Sequence, residues 1–198
     1  AYNNRGFFYD KMGQYEKAVS DFNKAIELKP DDAEAYDNRG CTYDDMGEYE
    51  KAVLDYNKVI ELKSDNAEAY YNRGYIYDKM GEYEKAVSDY NKVIELKPDS
   101  AEAHNNRGYT YHNMGEYEKA ILDFDKAILI NPNYANPYKH CGTVCKNKMN
   151  YKKALSFYNK AIELNPKYKE AYVERAEVYR LMDNIEKATA DEEMAATL

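Results

Sequence analysis

The apolar and polar residues of this chain follow one pattern that returns along its whole length. In residues 67–100, small and aromatic residues recur at intervals of four and then three, first at Tyr70, Gly74 and Tyr77 and again at Ala86, Tyr90 and Val93. These intervals place each group on one face of an α-helix. Gly81 separates the two groups and Pro98 follows the second, as expected for a turn and a helix end. The pattern therefore predicts a pair of helices, with Asp99 capping the next one.

The same pattern returns every 34 residues. Segments that begin at Ala33, Ala67 and Ala101 align without gaps, and more divergent copies begin at Ala135 and Lys169. We predict six repeats in one array over residues 1–198, with bounds 1–32, 33–66, 67–100, 101–134, 135–168 and 169–198. Ala1 falls inside the pattern, so we expect the chain to be a piece of a longer protein. One helix pair cannot bury both of its faces, so neighbouring pairs should stack.

The residues of each copy resemble a known repeat family. A small residue, Gly and an aromatic in the first helix, a Gly-x-Tyr turn, Ala-x3-aromatic-x2-Ala/Val in the second helix and a closing Pro resemble the tetratricopeptide repeat. The resemblance covers essentially the whole chain. It implies an all-α fold, a right-handed superhelical solenoid of antiparallel helix pairs. It also implies a protein–protein interaction module that binds a peptide or partner protein in a concave groove lined by the first helices.

The first helices of the first four repeats carry an Arg–Gly pair on the face that should pack, such as Arg73 and Gly74. Glycine lets the partner helix approach closely, which offsets its cost of about 1 kcal/mol in helix propensity. In five repeats an Asp follows the Arg by 16 residues, whereas the fifth repeat replaces both partners, with Cys141 and Phe157. Because a buried, unpaired guanidinium is costly, we predict an Arg–Asp ion pair in those five repeats, within a repeat or between neighbours.

The residue that directly precedes the Arg position of each repeat is a candidate for ligand binding. It is Asn in the first four repeats, at Asn4, Asn38, Asn72 and Asn106. Asn offers a donor and an acceptor, so a ladder of such residues is suited to hydrogen-bonding the backbone of an extended peptide. This would be similar to an asparagine ladder known in a related tetratricopeptide superhelix. The alternative is that these residues are solvated or locally bonded surface polars.

Aromatic and charged residues of the first helices extend this predicted peptide site. Tyr71, Tyr75 and Tyr109 should supply contact area at low entropic cost, together with Phe7. One turn further along lies a series that changes from acidic to basic: Asp10, Asp44, Asp78, His112, Lys146 and Arg180. We expect this series to favour a ligand with oppositely charged ends that docks in one direction. An ordinary charged surface is the alternative interpretation.

Composition and charge narrow the class of partner. The chain is 44% hydrophobic and 32% charged with a net charge of -8, although its last third is mildly basic. An acidic chain is a poor binder of nucleic acid, which needs a cationic face. The sequence holds no apolar run of about 18 residues that would span a bilayer. Three cysteines build no disulfide framework, so we expect a reducing, cytoplasmic compartment.

Neither a catalytic nor a metal site is predicted. The sequence contains no triad order, phosphate-binding loop or zinc-protease motif, so we expect no enzyme and no cofactor. Cys141 and Cys145 lie one helical turn apart beside His140, but a fourth ligand is not evident. Cys145 also occupies a core position held by Tyr77 in the third repeat, so buried apolar thiols are the expected outcome.

Two further interpretations concern the kind of partner. The carboxylate clamp of tetratricopeptide proteins that recognise Hsp70 or Hsp90 is not predicted, because Glu68 and Glu102 stand where that clamp requires Lys. The alternatives to peptide binding are a scaffold that self-associates end to end, since open solenoid ends favour stacking, and the targeting domain of a larger protein.

Overall fold

The computed structural model describes all 198 residues and consists of twelve α-helices without a β-strand. In chain order the helices are α1 (Tyr2–Lys11), α2 (Tyr15–Leu28), α3 (Ala33–Asp45), α4 (Tyr49–Leu62), α5 (Ala67–Lys79), α6 (Tyr83–Leu96), α7 (Ala101–Asn113), α8 (Tyr117–Ile130), α9 (Ala135–Asn147), α10 (Tyr151–Leu164), α11 (Lys169–Leu181) and α12 (Ile185–Thr197). Each predicted repeat contains two of them. The all-α fold of helix pairs is therefore confirmed.

The helices form two compact units, and the division between them falls at the boundary between the third and fourth repeats. The first unit is Ala1–Pro98 and the second is Asp99–Leu198, so each contains three pairs. Inside each unit, the second helix of one pair packs on the first helix of the next. First helices of successive pairs also touch, as α1 does with α3 and α7 with α9. The first helices therefore line the inner face of each unit.

Glycine in the first helix gives the close packing that the sequence predicted. A Cβ atom added at Gly74 would lie 3.2 Å from the ring of Tyr90, and one at Gly108 would lie 2.7 Å from the ring of Phe124. Both rings are almost completely buried. The sixth repeat has Ala176 at this position and no ring opposite it, because Glu192 replaces the aromatic residue. The glycine thus makes room for an aromatic ring of the second helix.

The turn between the two helices needs left-handed backbone. Gly81 adopts φ +75° there, a conformation that costs glycine little. The fifth repeat keeps this conformation with Met149, at φ 58°, which is unfavourable for a residue with a side chain. The Met149 side chain is exposed, so no packing compensates for the strain.

The predicted ion pairs form in all five repeats. In each, the Arg Nε and Nη2 groups donate to the two carboxylate oxygens of the Asp at 2.6–2.8 Å: Arg5–Asp21, Arg39–Asp55, Arg73–Asp89, Arg107–Asp123 and Arg175–Asp191. The pairs join the two helices of one repeat. In the fifth repeat Cys141 is buried and Phe157 packs in the same apolar cluster, so the loss of both charges leaves no stranded partner.

The prediction that Asp99 caps the following helix is wrong. Helix α7 begins one residue later than that prediction required, and its N-cap is Ser100, whose Oγ accepts from the backbone N–H of Ala103 at 3.2 Å. Asn66 caps α5 in the same way. Asp99 lies exposed in the preceding turn.

Candidate functional site

In the first unit, some side chains of the predicted asparagine ladder form hydrogen bonds within the protein and others do not. The Nδ2 group of Asn38 donates to Oδ1 of Asn3 at 3.0 Å, and Asn3 in turn donates to Glu34 at 2.9 Å. Asn4 is exposed, and Asn72 is half-buried on α5. Neither Asn4 nor Asn72 makes a side-chain hydrogen bond within the structure. Their amides are therefore the ones open to a ligand.

The aromatic candidates of the first unit differ in exposure. The ring of Tyr71 packs edge-on against that of Tyr90, with centroids 5.9 Å apart. Tyr75 is 42% exposed, and the ammonium group of Lys79 lies 4.5 Å above its ring. Phe7 is also exposed. Tyr75 and Phe7 thus offer open ring surface, whereas part of Tyr71 is committed to packing.

A shallow pocket of about 290 Å³ lies between α1 and α3, the first helices of the first two repeats. It is lined by Asn3, Asn4, Phe7, Phe8, Glu34 and Asn38. Amides, two phenyl rings and a carboxylate therefore meet at one place on the inner face. This mixture suits a peptide, since it offers both hydrogen-bonding groups and apolar surface.

The acidic residues of the predicted charge series have partners inside the first unit. Asp10 is buried and accepts from Thr42 Oγ1 at 2.7 Å. Asp44 forms an ion pair with Lys79 at 2.8 Å. Asp78 is half-buried. The carboxylates of Asp10 and Asp44 consequently present less charge to a ligand than the sequence alone suggested.

The sequence did not single out one acidic residue of this face, Asp37 on α3. Its Oδ1 atom is buried and has no hydrogen-bond partner. Burial, reinforced by nearby Glu68 and Glu34, raises the pKa of Asp37 to about 6. The other repeats have Asn, Tyr, Lys or Val at this position, so no repeated pattern drew attention to it.

In the second unit the ladder residue Asn106 belongs to a chain of polar side chains. Asn105 Nδ2 donates to Asn106 Oδ1 at 3.1 Å, and His140 Nδ1 lies 3.0 Å from Asn105 Oδ1. Because the Asn105 oxygen accepts, His140 Nδ1 must carry the proton, which leaves its Nε2 as an acceptor. Tyr109 is exposed and stacks on His112, and its ring centroid is 5.2 Å from that of His140.

Tyr109, His112 and His140 belong to the wall of a pocket of about 220 Å³. Its lining is Tyr109, His112, Asn113, Lys139, His140, Thr143 and Glu174. The sequence predicted Tyr109 and His112 as binding residues but missed Lys139. The available signal was that Lys139 is the one cation at its position in the six repeats, the same position that Asp37 occupies.

Burial sets the ionisation of the pocket. It lowers the pKa of His112, and it holds that of His140 well below its usual value, with Lys139 adding to both effects. The pKa of Lys139 is itself lowered by burial, although attraction by the carboxylates of Glu174 and Glu170 opposes this shift. The pocket therefore contains neutral imidazoles beside a half-buried lysine and the carboxylate of Glu174.

The basic residues of the charge series are paired. Lys146 contacts Glu174 at 2.7 Å and Glu177 at 2.6 Å. Arg180 forms a bidentate pair with Glu192 on α12, both bonds being 2.7 Å long. Whether the series selects the direction of a ligand stays a prediction.

The cysteines occupy packing positions. Cys141 lies in an apolar cluster with Phe124 and Val144, and Cys145 packs with Tyr158 and Val178. Burial raises the pKa of both thiols, which disfavours the thiolate that metals bind. No group of three or more His, Cys, Asp or Glu side chains is arranged to hold a metal ion. None of the twelve helices has the length and apolar character that crossing a membrane requires.

Solved structures with the same fold share about a quarter of the residues of this chain. A tetratricopeptide repeat protein from Parabacteroides merdae ATCC 43184 is 25% identical, with a TM-score of 0.86 over 99% of this chain and 78% of that one. MamA is 28% identical, with a TM-score of 0.75 over 83% of this chain and 96% of that one. YrrB, a TPR protein with an unusual peptide-binding site, is 26% identical, with a TM-score of 0.63 over 88% and 90%.

Comparison with curated protein sequences finds no match. A family model described as "Tetratricopeptide repeat" matches residues 1–32, 67–100 and 101–134. Further models of the same repeat match residues 42–81, 22–53, 157–190 and 141–168. The repeat is a protein–protein interaction fold. Together with the six helix pairs, these matches show that the chain belongs to the tetratricopeptide repeat family.

Proposed function

We propose that this chain is a protein–protein interaction module that binds an extended peptide segment of its partner on the inner faces of its two units. The observation that carries the proposal is the pairing of Asn72, whose amide has no internal hydrogen bond, with exposed Tyr75 on the same helix. The amide can hold a peptide backbone while the ring covers a side chain. Asn4 and Phe7 repeat this combination on α1.

The comparisons support binding of this kind without naming the ligand. YrrB, with 26% identity and a TM-score of 0.63, has a peptide-binding site. The three cysteines are free, which supports a reducing, cytoplasmic location for the interaction. The proposal concerns binding alone.

Peptide display tests this proposal. A random library would be panned against the chain and counter-selected with an Asn72→Ala/Asn106→Ala variant, after light scattering shows that the two proteins have equal size. The matched control is Ser88→Ala, which alters an exposed polar residue of a second helix. We expect peptides that bind wild type and the control but not the double variant. Peptides that bind all three proteins equally would contradict a role for the asparagines.

End-to-end self-association is a second candidate, and one observation favours it. Phe8 is 64% exposed, whereas the equivalent residues Ile76 and Val144 are buried against a neighbouring repeat. A large exposed ring at a packing position is a possible contact for another copy. Failure to enrich any peptide, together with a mass that rises with protein concentration, would favour this function over peptide binding.

A further inference from the structure

The outer surface of α8 exposes two leucines that lie on one face of the helix. Leu122 and Leu129 are 70% and 73% exposed. Their spacing of i and i+7 places them on the same face, about 10 Å apart along the helix axis. A single exposed leucine is ordinary in a folded protein, and Leu54 on α4 is an example. Two in line on one helix form an apolar surface that the chain itself leaves uncovered.

The fourth repeat is the one that combines leucine at both positions. In place of Leu122 the other repeats have small residues or a lone leucine: Ser20, Leu54, Ser88, Ser156 and Ala190. In place of Leu129 they have a polar residue: Glu27, Glu61, Glu95, Glu163 and Thr197. Each of those Glu residues pairs with a Lys three residues before it. The fourth repeat keeps this lysine as Lys126, which is exposed and makes no ion pair within the protein.

Asp125, which precedes Lys126 on the same face, has also lost its usual partner. At its position three repeats have an Asn that accepts a hydrogen bond from the Arg of the following repeat: Asn23, Asn57 and Asn159. Asp125 has no such donor, because Cys141 replaces that Arg. It is exposed and forms neither an ion pair nor a side-chain hydrogen bond. The α8 stripe therefore consists of two uncovered leucines and two unpaired charges: Leu122, Asp125, Lys126 and Leu129.

The α8 stripe is complementary to itself when two copies of the helix run antiparallel. Its spacing is i, i+3, i+4 and i+7, which is symmetric about the point between Asp125 and Lys126. A two-fold axis through that point places Leu122 against Leu129 of the second copy and Asp125 against Lys126 of the second copy. A parallel arrangement would instead bring like charges together. A second copy of the chain therefore supplies both the apolar cover and the missing counter-charges.

We propose that the chain forms a two-fold, antiparallel dimer through the α8 stripe. The equivalent stripe of α10, the next second helix of the same unit, is polar throughout: Ser156, Asn159, Lys160 and Glu163. The apolar contact is therefore confined to α8. Interfaces below about 1,200 Å² associate weakly, so for one pair of helices we expect a dissociation constant on the order of 0.1 mM.

This dimer is distinct from both functions proposed above. It uses a second helix, so the first helices remain available to a peptide. A two-fold contact closes after two copies, whereas end-to-end stacking adds copies without a limit. The concentration dependence of the mass therefore separates the two kinds of self-association.

Sedimentation equilibrium measures the association and its dependence on the leucines. About 0.15 M salt would screen the repulsion between chains of net charge -8. We expect the mass to rise with concentration and to level off at two chains. Leu129→Glu restores the residue of four other repeats and a partner for Lys126, and it should raise the dissociation constant about tenfold or more. Leu122→Ser should act in the same direction.

The matched control is Leu54→Ser, which removes an exposed leucine from the equivalent position of α4. It should leave the dissociation constant unchanged. Every side chain altered in these variants is exposed, so equal helix content by circular dichroism would show that each variant is folded.

Charge reversal tests the antiparallel arrangement. Asp125→Lys gives the α8 stripe two cations and Lys126→Asp gives it two anions, so each variant alone should dimerise more weakly than wild type. A mixture of the two variants should recover the association, because opposite charges then face each other at both positions. An effect of either substitution on folding alone would not be reversed by mixing.

Four results would overturn the dimer: a mass that stays at one chain, a mass that passes two chains without levelling off, a Leu129→Glu protein that associates like wild type, or a mixture of charge variants that associates no better than either alone. Growth beyond two chains that Phe8→Ser abolishes would indicate end-to-end stacking instead. Peptide display tests the first helices, so peptide binding would stand if the dimer failed, and the dimer would stand if no peptide were selected.

Discussion

The guanidinium of Arg73 forms a two-bond ion pair with Asp89, at 2.8 Å from Nε and 2.6 Å from Nη2. Its remaining Nη1 group donates to Asn57, on the second helix of the preceding repeat. One side chain thus ties together the two helices of its own repeat and the end of the repeat before it. Arg175 does the same in the second unit, with Asn159 at 2.7 Å.

The Arg73–Asp89 pair should behave as a unit when it is mutated. The exposed fractions of the two side chains are 17% and 6%, so removing either partner leaves a largely buried charge. We expect Arg73→Cys or Asp89→Phe alone to lower the free energy of unfolding by about 3 kcal/mol. The double variant copies the Cys141 and Phe157 combination of the fifth repeat and should recover most of that loss. Urea unfolding of all four proteins gives the coupling energy, and additive losses would contradict a paired site.

Gly108 should tolerate alanine less well than Gly40. A Cβ at Gly108 would meet the buried ring of Phe124 at 2.7 Å, whereas one at Gly40 would meet Tyr56 at 3.1 Å. Alanine gains about 1 kcal/mol of helix propensity at both sites, but overpacking costs about 1–3 kcal/mol where the ring cannot move. We expect Gly108→Ala to lower the urea midpoint clearly and Gly40→Ala to change it little. Equal effects would show that ring contact is not the reason for the glycine.

The turn of the fifth repeat should be stabilised by restoring glycine. Met149 has φ 58° and an exposed side chain, so Met149→Gly relieves strain and sacrifices little packing. The left-handed conformation costs a non-glycine residue about 1–2 kcal/mol, and the greater freedom of glycine in the unfolded chain offsets part of this gain. We expect a net stabilisation of about 0.5–1 kcal/mol by thermal and urea unfolding. The reverse change, Gly81→Met, is the matched control and should destabilise the third repeat.

Asp37 should make stability depend on pH in a predictable direction. Its pKa is about 6 in the folded chain against 3.8 for a free Asp, so above pH 6 the folded state holds an ionised carboxylate that burial disfavours. This destabilisation disappears as the pH falls from about 6 toward 4, where the folded chain keeps the neutral acid. We expect Asp37→Asn to raise the free energy of unfolding by about 2 kcal/mol at pH 7.5 and by little at pH 4.

Urea unfolding at both pH values measures this effect. Asp65→Asn is the control, because it removes the same charge from an exposed site and should have a small effect at either pH. A gain from Asp37→Asn that is equal at pH 7.5 and pH 4 would show that ionisation of Asp37 is not its cause.

The repeated features of the molecule could be predicted from the sequence because the same residues recur at the same positions in several copies. The Arg–Asp pairs and the close approach at Gly74 follow from residues that recur at fixed spacing, and the joint change to Cys141 and Phe157 identified the partners. The Arg–Asn bonds were equally accessible, since Asn57 lies 16 residues before Arg73 just as Asp89 lies 16 after it. An uncharged Asn leaves no buried charge that demands a partner, so its spacing alone does not predict the bond.

The candidate pockets could not be predicted in the same way. The pocket of the second unit depends on Lys139, which occurs once at its repeat position and meets His112 of the preceding repeat only after folding. The burial of Lys139 and the missing hydrogen-bond partner of Asp37 depend on three-dimensional packing, so the spacing of residues in the sequence does not reveal them. Comparison of the six repeats reveals the residues that they share. Recognition of a specific ligand depends instead on residues that differ from one repeat to the next.

The most direct test of peptide binding is to map where a selected peptide changes the backbone amide NMR signals of the chain. If the inner faces bind the peptide, the largest changes should fall on the first helices, near Asn4 and Asn72 in the first unit and near Tyr109 and Lys139 in the second. The exposed sides of the second helices, represented by Ser88, should be unaffected. Changes concentrated on the second helices, or near Phe8 without any on α5, would contradict the proposed binding site.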